Sequence, residues 1–166
     1  MANGQATDGA GDGGTRSAPM FRGVTHLALD AKGRLAIPSK HRDALSAGGA
    51  PMVLTADPSR CLLLYPHAQW LPIQERLMAL ASFDEQIRSL QRLIVGHADD
   101  VEMDAAGRIL VPPPLRQYAR LDREAVLVGQ GRRFELWDAG AWAEQTAQAI
   151  SFNANGLPPA LSDFSL

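Results

Sequence analysis

Asp30-Ala-Lys-Gly-Arg-Leu-Ala-Ile-Pro38 returns as Asp104-Ala-Ala-Gly-Arg-Ile-Leu-Val-Pro112, an internal repeat with Asp, Gly, Arg and Pro in register. Arg42 has its counterpart in Arg116 at the same spacing. Leu64-Tyr65 and Trp70 are echoed by Leu136-Trp137 and Trp142 after a two-residue deletion in the second copy. Self-similarity of this kind decides the architecture before any single element is considered. The chain is a duplication. One copy, with a few short strands and a helix, has too little core to stand alone. Two copies together bury each other's apolar strand faces and cover strand edges that would otherwise aggregate.

The local patterns give the content of each copy. Val24–Leu29 reads as a strand and Arg34–Ile37 as its partner, joined by Asp30-Ala31-Lys32-Gly33, in which Gly33 is free to take a positive φ. Pro38 ends the second strand, because it has no N–H to donate. Ser39 to Leu45 follows as a short helix with Ser39 as its cap. Met52–Thr55 and Cys61–Tyr65 are further strands on either side of an Asp57-Pro58-Ser59 turn. Trp70, Ile73, Leu77 and Leu80 repeat at helical spacing, with Pro72 tolerated in a first turn. Ser82-Phe-Asp-Glu85 has the form of a capping box, followed by an apolar stripe of Phe83, Ile87, Leu90 and Ile94 that Gly96 stops.

Composition excludes several classes of function. Of 166 residues 46% are hydrophobic and 20% charged, as in globular proteins, and no apolar run approaches the ~20 residues of a membrane span. A single cysteine, Cys61, rules out an intrachain disulfide and suits a reducing cytoplasm. The N-terminus lacks the pattern of a signal peptide. Residues 1–19 hold little to bury and are expected to be a disordered extension, with Met20 a candidate second start. Gly9, Gly11 and Gly14 fit a dinucleotide-binding spacing. Such a loop works only between a strand and a helix, and neither flank exists. His26, His41, His67 and His97 form no metal-ligand spacing with Cys61, and no nucleophile elbow or phosphate loop is present. The reading is therefore no enzyme, no metal and no cofactor. The aromatic residues Tyr65, Trp70, Trp137 and Trp142 are expected in the core rather than as a base-stacking platform.

The repeated DAKGRLAIP and DAAGRILVP resemble the D-x-x-x-R signature of the MraZ family, whose halves belong to the SpoVT/AbrB swapped-hairpin superfamily. Met20-Phe-Arg-Gly23, CLLLYP (61–66), Gly96-His-Ala98 and FELWD (134–138) are similar to that family as well, as is the closing Leu161-Ser-Asp-Phe-Ser-Leu166. The resemblance implies a β-dominated α+β fold in which two tandem SpoVT/AbrB-like swapped-hairpin modules form one pseudo-symmetric barrel with connecting helices. The divisions expected are an extension over 1–19, a first module over 20–66, connecting helices over 67–95, a second module over 96–138, and a C-terminal helix and tail over 139–166. It further implies a cytoplasmic, nucleoid-associated repressor of its own promoter and of the division and cell-wall gene cluster. Such a repressor binds short G-rich direct repeats of double-stranded DNA as a ring-shaped homo-oligomer, with no cofactor and no small-molecule substrate.

The residues themselves say which loop suits that task. The formal net charge of −2 means that any DNA contact must come from a local basic patch. Residues 21–45 carry five basic side chains against two acids, whereas 97–108 carry four acids against Arg108 alone. Lys32 of the first loop is replaced by Ala106 in the second. Phosphates attract the first loop and repel the second, so the first copy is expected to face DNA and the second to serve as structural partner. Arg34 is the expected base reader, since its planar fork matches guanine in the major groove. Lys32 and Arg22 are expected on phosphates. Asp30, Gly33, Asp104, Gly107 and Arg108 are expected to fix the turns, and for Arg34 a folding role and a reading role are compatible. An alternative stands beside this: a protein-interaction or antitoxin-like module whose tail, with Phe152, Leu157, Leu161 and Phe164, folds onto a partner.

Overall fold

The computed structural model describes residues 17–81, 83–154, 156, 158–161, 163 and 164. Of the sequence features above, residues 1–16 of the expected extension with Gly9, Gly11 and Gly14, together with Ser82, Leu157, Ser162, Ser165, Leu166 and the side chain of Phe152, lie outside the described residues.

Among the described residues, eight strands and five α-helices follow one another in two parallel series. The first copy contributes β1 (Val24–Ala28), β2 (Arg34–Ala36), α1 (Ser39–Leu45), β3 (Met52–Ala56), β4 (Leu62–Pro66) and α2 (His67–Met78). Helix α3 (Glu85–Ile94) leads into the second copy: β5 (Asp99–Val101), β6 (Arg108–Leu110), α4 (Pro113–Tyr118), β7 (Glu124–Gly129), β8 (Phe134–Asp138) and α5 (Ala139–Ala154). No helix among the described residues is long and apolar enough to cross a membrane.

The two copies are interlaced by strand exchange. Six strands form one antiparallel sheet in the order β1-β7-β8-β4-β3-β5, and β2 pairs with β6 in a separate ribbon. The order is palindromic with respect to the repeat. Each copy's β-hairpin (β3–β4 or β7–β8) accepts as its outer neighbour the first strand of the other copy. The sequence patterns pair β1 with β2, and here the structure differs. The two are joined by a tight turn, but β1 lies in full register against β7, from Val24↔Val128 to Ala28↔Glu124. The partner of β2 is β6, with Leu35 opposite Ile109. A four-residue turn satisfies local geometry equally well whether its strands pair with each other or with a neighbour, so the choice falls to the apolar faces available, and the duplicate supplies them.

Burial explains why the central strands read as unbroken apolar runs. Every residue of β3 and β4 is buried, because both faces of the sheet are covered. On one face Leu54, Leu64, Leu127 and Leu136 pack under the ribbon residues Leu35, Ile37, Ile109 and Val111 and the helix residues Leu45 and Leu115. On the other face Val53, Tyr65, Val126 and Trp137 pack with Trp70, and Ile73, Ile94 and Trp142 close over them. Tyr65, Trp70 and Trp137 are thus core residues, each 5% exposed or less.

Three helix starts differ from the sequence reading. Helix α1 begins at Ser39 itself, with Pro38 in the N-cap position and no side-chain cap. Helix α2 begins at His67, so Pro72 stands inside the helix, beyond its first turn. Helix α3 is capped by Asp84, whose Oδ1 accepts from the backbone N–H of Gln86 at 2.8 Å. Phe83 therefore precedes the helix and stands 98% exposed instead of joining its apolar stripe.

Candidate nucleic-acid interface

The two repeated turns are built identically from their sequence. Asp30 Oδ1 accepts from the backbone N–H groups of Lys32 and Arg34, each at 2.9 Å, and Oδ2 accepts from Arg34 Nε at 2.7 Å. Asp104 repeats the arrangement with Ala106 N, Arg108 N and Arg108 Nε, all at 2.9 Å. Backbone bonds Gly33 N to Asp30 O and Asp30 N to Arg34 O close the first turn, and their equivalents close the second. Asp supplies an acceptor that an unpaired turn backbone needs, and glycine supplies the positive φ, +81° at Gly33 and +75° at Gly107. The Arg34 backbone N–H holds the Asp30 carboxyl below the usual carboxylate value against an opposing desolvation, assisted by the Arg34 side chain and the Lys32 N–H; Arg108 and Ala106 do the same for Asp104. Because Asp30 engages Arg34 through Nε, it orients the guanidinium while leaving the Nη donors for another acceptor.

The turns are braced by each other's copy. Val111 N donates to Gly33 O, and Ile37 N donates to Gly107 O, each at 2.9 Å. Beneath Gly33 lies Arg116 of the second copy, and beneath Gly107 lies Arg42 of the first. A Cβ on Gly107 would fall 2.2 Å from Arg42 Cζ, and one on Gly33 would fall 2.5 Å from Arg116 Nη1. Arg42 is itself fixed by donating from Nε to the Ile37 carbonyl at 2.8 Å. The sequence signal for this role is the equal interval from Arg34 to Arg42 and from Arg108 to Arg116; the exchange of partners between copies is what a linear reading misses.

The ribbon also brings the two turn arginines onto one face. Leu35 and Ile109, each 1% exposed, point into the core. Alternation along a strand then places Arg34, Ala36, Arg108 and Leu110 together on the outer face. Arg34 pairs directly with Leu110 and Arg108 with Ala36, so the arginines are diagonal neighbours, about 7–8 Å apart at Cα. Their side chains are 32% and 39% exposed. Lys32 is exposed at the tip of the first turn. Arg22 does not join them. It precedes β1 at the end of the sheet where Phe21 bridges to Gly131, and roughly eight extended residues, about 26 Å, separate it from Asp30. The acids that set the second loop apart by charge are partly displaced too. Asp99 and Asp100 lie on β5 against β3, about 13–17 Å of strand before the turn at Asp104.

Fold and site together define a class: an internally duplicated β protein whose halves exchange strands and so present matched arginine turns on one face. A family model described as the MraZ protein, antitoxin-like, matches residues 20–93 and again 94–157, and the chain belongs to the MraZ family. It is 56% identical over 148 residues to "Transcriptional regulator MraZ" of Nitrosomonas europaea, covering 89% of this chain and 100% of that protein. The protein of the same name from Methylobacillus flagellatus is 57% identical with the same coverage. That from Azoarcus sp. is 49% identical over 147 residues, again 89% and 100%. These relatives bear the name of regulators, and the family is not one of enzymes.

Proposed function

We propose that the chain is a sequence-specific DNA-binding transcriptional regulator that represses its own promoter and the division and cell-wall gene cluster. Its operator is a set of short G-rich direct repeats, and it acts from the cytoplasm on the nucleoid. The observation that carries this reading is the outward ribbon face, where an aspartate-oriented Arg34 stands beside Arg108 with Lys32 at the adjoining turn tip. Arg34 reads guanine O6 and N7, and Lys32 contacts phosphate. Arg108 belongs to the same DNA-facing surface, a larger role than charge counting gives the second copy. Arg22, distant from the ribbon, serves a phosphate elsewhere along the duplex. A single ribbon binds weakly. A ring-shaped homo-oligomer that displays several ribbons to several repeats multiplies the affinity through effective concentration, which is how a molecule of formal charge −2 holds a polyanion.

Mobility-shift titration on DNA upstream of the chain's own gene tests the assignment. Arg34→Ala is expected to weaken specific binding about 10- to 100-fold per engaged turn, with oligomer size unchanged. Retained affinity removes Arg34 as the reader. Lys32→Ala is expected to weaken binding to all sequences and to reduce the salt slope by about one; an unchanged slope removes Lys32 from the phosphates. The antitoxin-like alternative draws on the C-terminal segment, where Leu161 and Phe164 are 38% and 60% exposed. Stoichiometric capture of a protein partner, with no retention on promoter DNA, selects that reading instead.

A further inference from the structure

A second concentration of positive charge lies at the end of the sheet remote from the arginine turns. Gly131, with φ +74°, reverses the chain between β7 and β8, and Arg132 and Arg133 follow it. Across from them stands Arg76 of α2. The three arginines, with Gln69, Gln130 and Ile73, line a cleft of about 490 Å³. Among the described residues the one carboxylate within 4 Å of any of these guanidiniums is Glu135, 3.8 Å from Arg133 Nη2. Glu135 is already engaged by the Trp137 indole N–H at 2.9 Å. The Arg133 Nε is buried and has no hydrogen-bond partner among the described residues. Three cations against one occupied anion, one of them with a shielded and unmet donor, is an arrangement that an incoming anion completes.

The other half repeats only part of this charge. Aligning Leu136-Trp137 with Leu64-Tyr65 places Arg132 opposite Arg60, Arg133 opposite Cys61 and Arg76 opposite Gln148. The first copy makes the equivalent turn with Cys61 fully buried and with an aspartate, Asp57, at its start. Arg132 thus keeps a cation that the first copy also has, whereas Arg133, which lies over the Tyr65 ring at 6.0 Å, and Arg76 are charges of the one half alone.

We infer that this cleft binds a small molecule carrying clustered phosphate groups, such as a pyrophosphate or nucleotide-like compound. Guanidinium forks match phosphate oxygens two at a time, and the glutamine amides add neutral donors. The volume is that of an ordinary small-molecule site, and Ile73 and Pro72 give an apolar wall for an organic portion. DNA is a second source of the same chemistry. The free compound is favoured because Ile73 and Pro72 offer its organic portion an apolar wall that a phosphate backbone does not use.

Calorimetric titration of the full chain with inorganic pyrophosphate at about 50 mM salt, where screening is modest, tests the site. Saturable binding at one equivalent per chain is expected. Arg132→Gln and Arg133→Gln should each weaken it about tenfold or more, while Lys32→Ala leaves it within about twofold. Arg132 is exposed, so its variant keeps the test decisive if Arg133→Gln disturbs folding, and circular dichroism confirms that Arg132→Gln is native. Absence of saturable binding overturns the site, as does an equal loss with Lys32→Ala. If pyrophosphate fails to bind while Arg132→Gln lowers the salt slope of DNA binding by about one, the phosphates are those of DNA and the small-molecule site is overturned. The promoter affinity of the unmodified chain is a separate measurement, so failure here is distinguishable from failure of the operator-binding role.

Discussion

Gly33 and Gly107 occupy equivalent positions, yet alanine at the two should not cost the same. Both lie at positive φ, where a Cβ is disfavoured by roughly 1–2 kcal/mol. At Gly33 the new methyl meets the far end of Arg116, which can swing away. At Gly107 it meets Cζ and Nε of Arg42, and Nε is bonded to the Ile37 carbonyl, so relief means losing a charged hydrogen bond as well. Urea denaturation should therefore show Gly33→Ala down by about 1–2 kcal/mol and Gly107→Ala down by at least about 1 kcal/mol more. Equal losses would mean that Arg42 is not a fixed brace. Much of this scale was legible in sequence. Asp, Gly and Arg at fixed offsets dictate the turn, because an aspartate acceptor and a glycine φ are local requirements. The cross-bracing by Arg42 and Arg116 and the diagonal approach of Arg34 to Arg108 were not, since both depend on which strand is exchanged with which.

Elements show the same division between local and exchanged. The alternation and turn residues locate β1 through β4 to within a residue or two, and Trp70, Ile73 and Leu77 place α2. The pairing of β1 with β7 rather than β2 is invisible in any window, because identical turn chemistry serves both topologies. A short element, α1, also ties stability to pH. Burial, with Lys40 adding to it, depresses the His41 pKa below the ordinary imidazole value, and the ring sits 4.8 Å from that of Phe134 and 5.9 Å from that of Phe21. A depressed histidine takes up its proton more readily in the unfolded chain, so the unfolded state binds more protons and stability falls as pH drops below about 6.5. The carboxylates Asp30 and Asp104, held below their usual value, contribute their loss only further down, below about pH 4. Melting temperature should fall between pH 7.5 and 5.5, and His41→Gln should flatten that dependence. A variant that keeps the full slope would place the acid-sensitive group elsewhere.

At the scale of the whole molecule, strand exchange makes the duplication obligatory for folding. Residues 20–93 and 94–157 each match the family model, which invites the view that each is a domain. Cutting between them removes from the first half the strand partners of β1 and β2 (β7 and β6) and the other neighbours of β3 and β4 (β5 and β8), leaving only the β3–β4 hairpin paired. Leu35, Ile37, Leu54, Leu62 and Leu64, all buried in the shared core, would lose much of their cover. A chain of 20–93 alone has too little remaining core to offset its conformational entropy as a monomer. Its repeat signature does let a second copy of itself stand in for the missing half, in the isologous manner of a two-fold dimer. Sedimentation and urea unfolding of the 20–93 fragment should accordingly find either an unfolded chain or a dimer whose midpoint rises with concentration. Adding the 94–166 fragment should recover a one-to-one complex with the native far-ultraviolet spectrum. A folded monomeric half, unfolding cooperatively at a midpoint independent of concentration, would show that the exchange is an ornament of the fold rather than its cause. The arginine face would then be divisible between two independent modules, because Arg34 and Arg108 share a surface only while β2 and β6 share a ribbon.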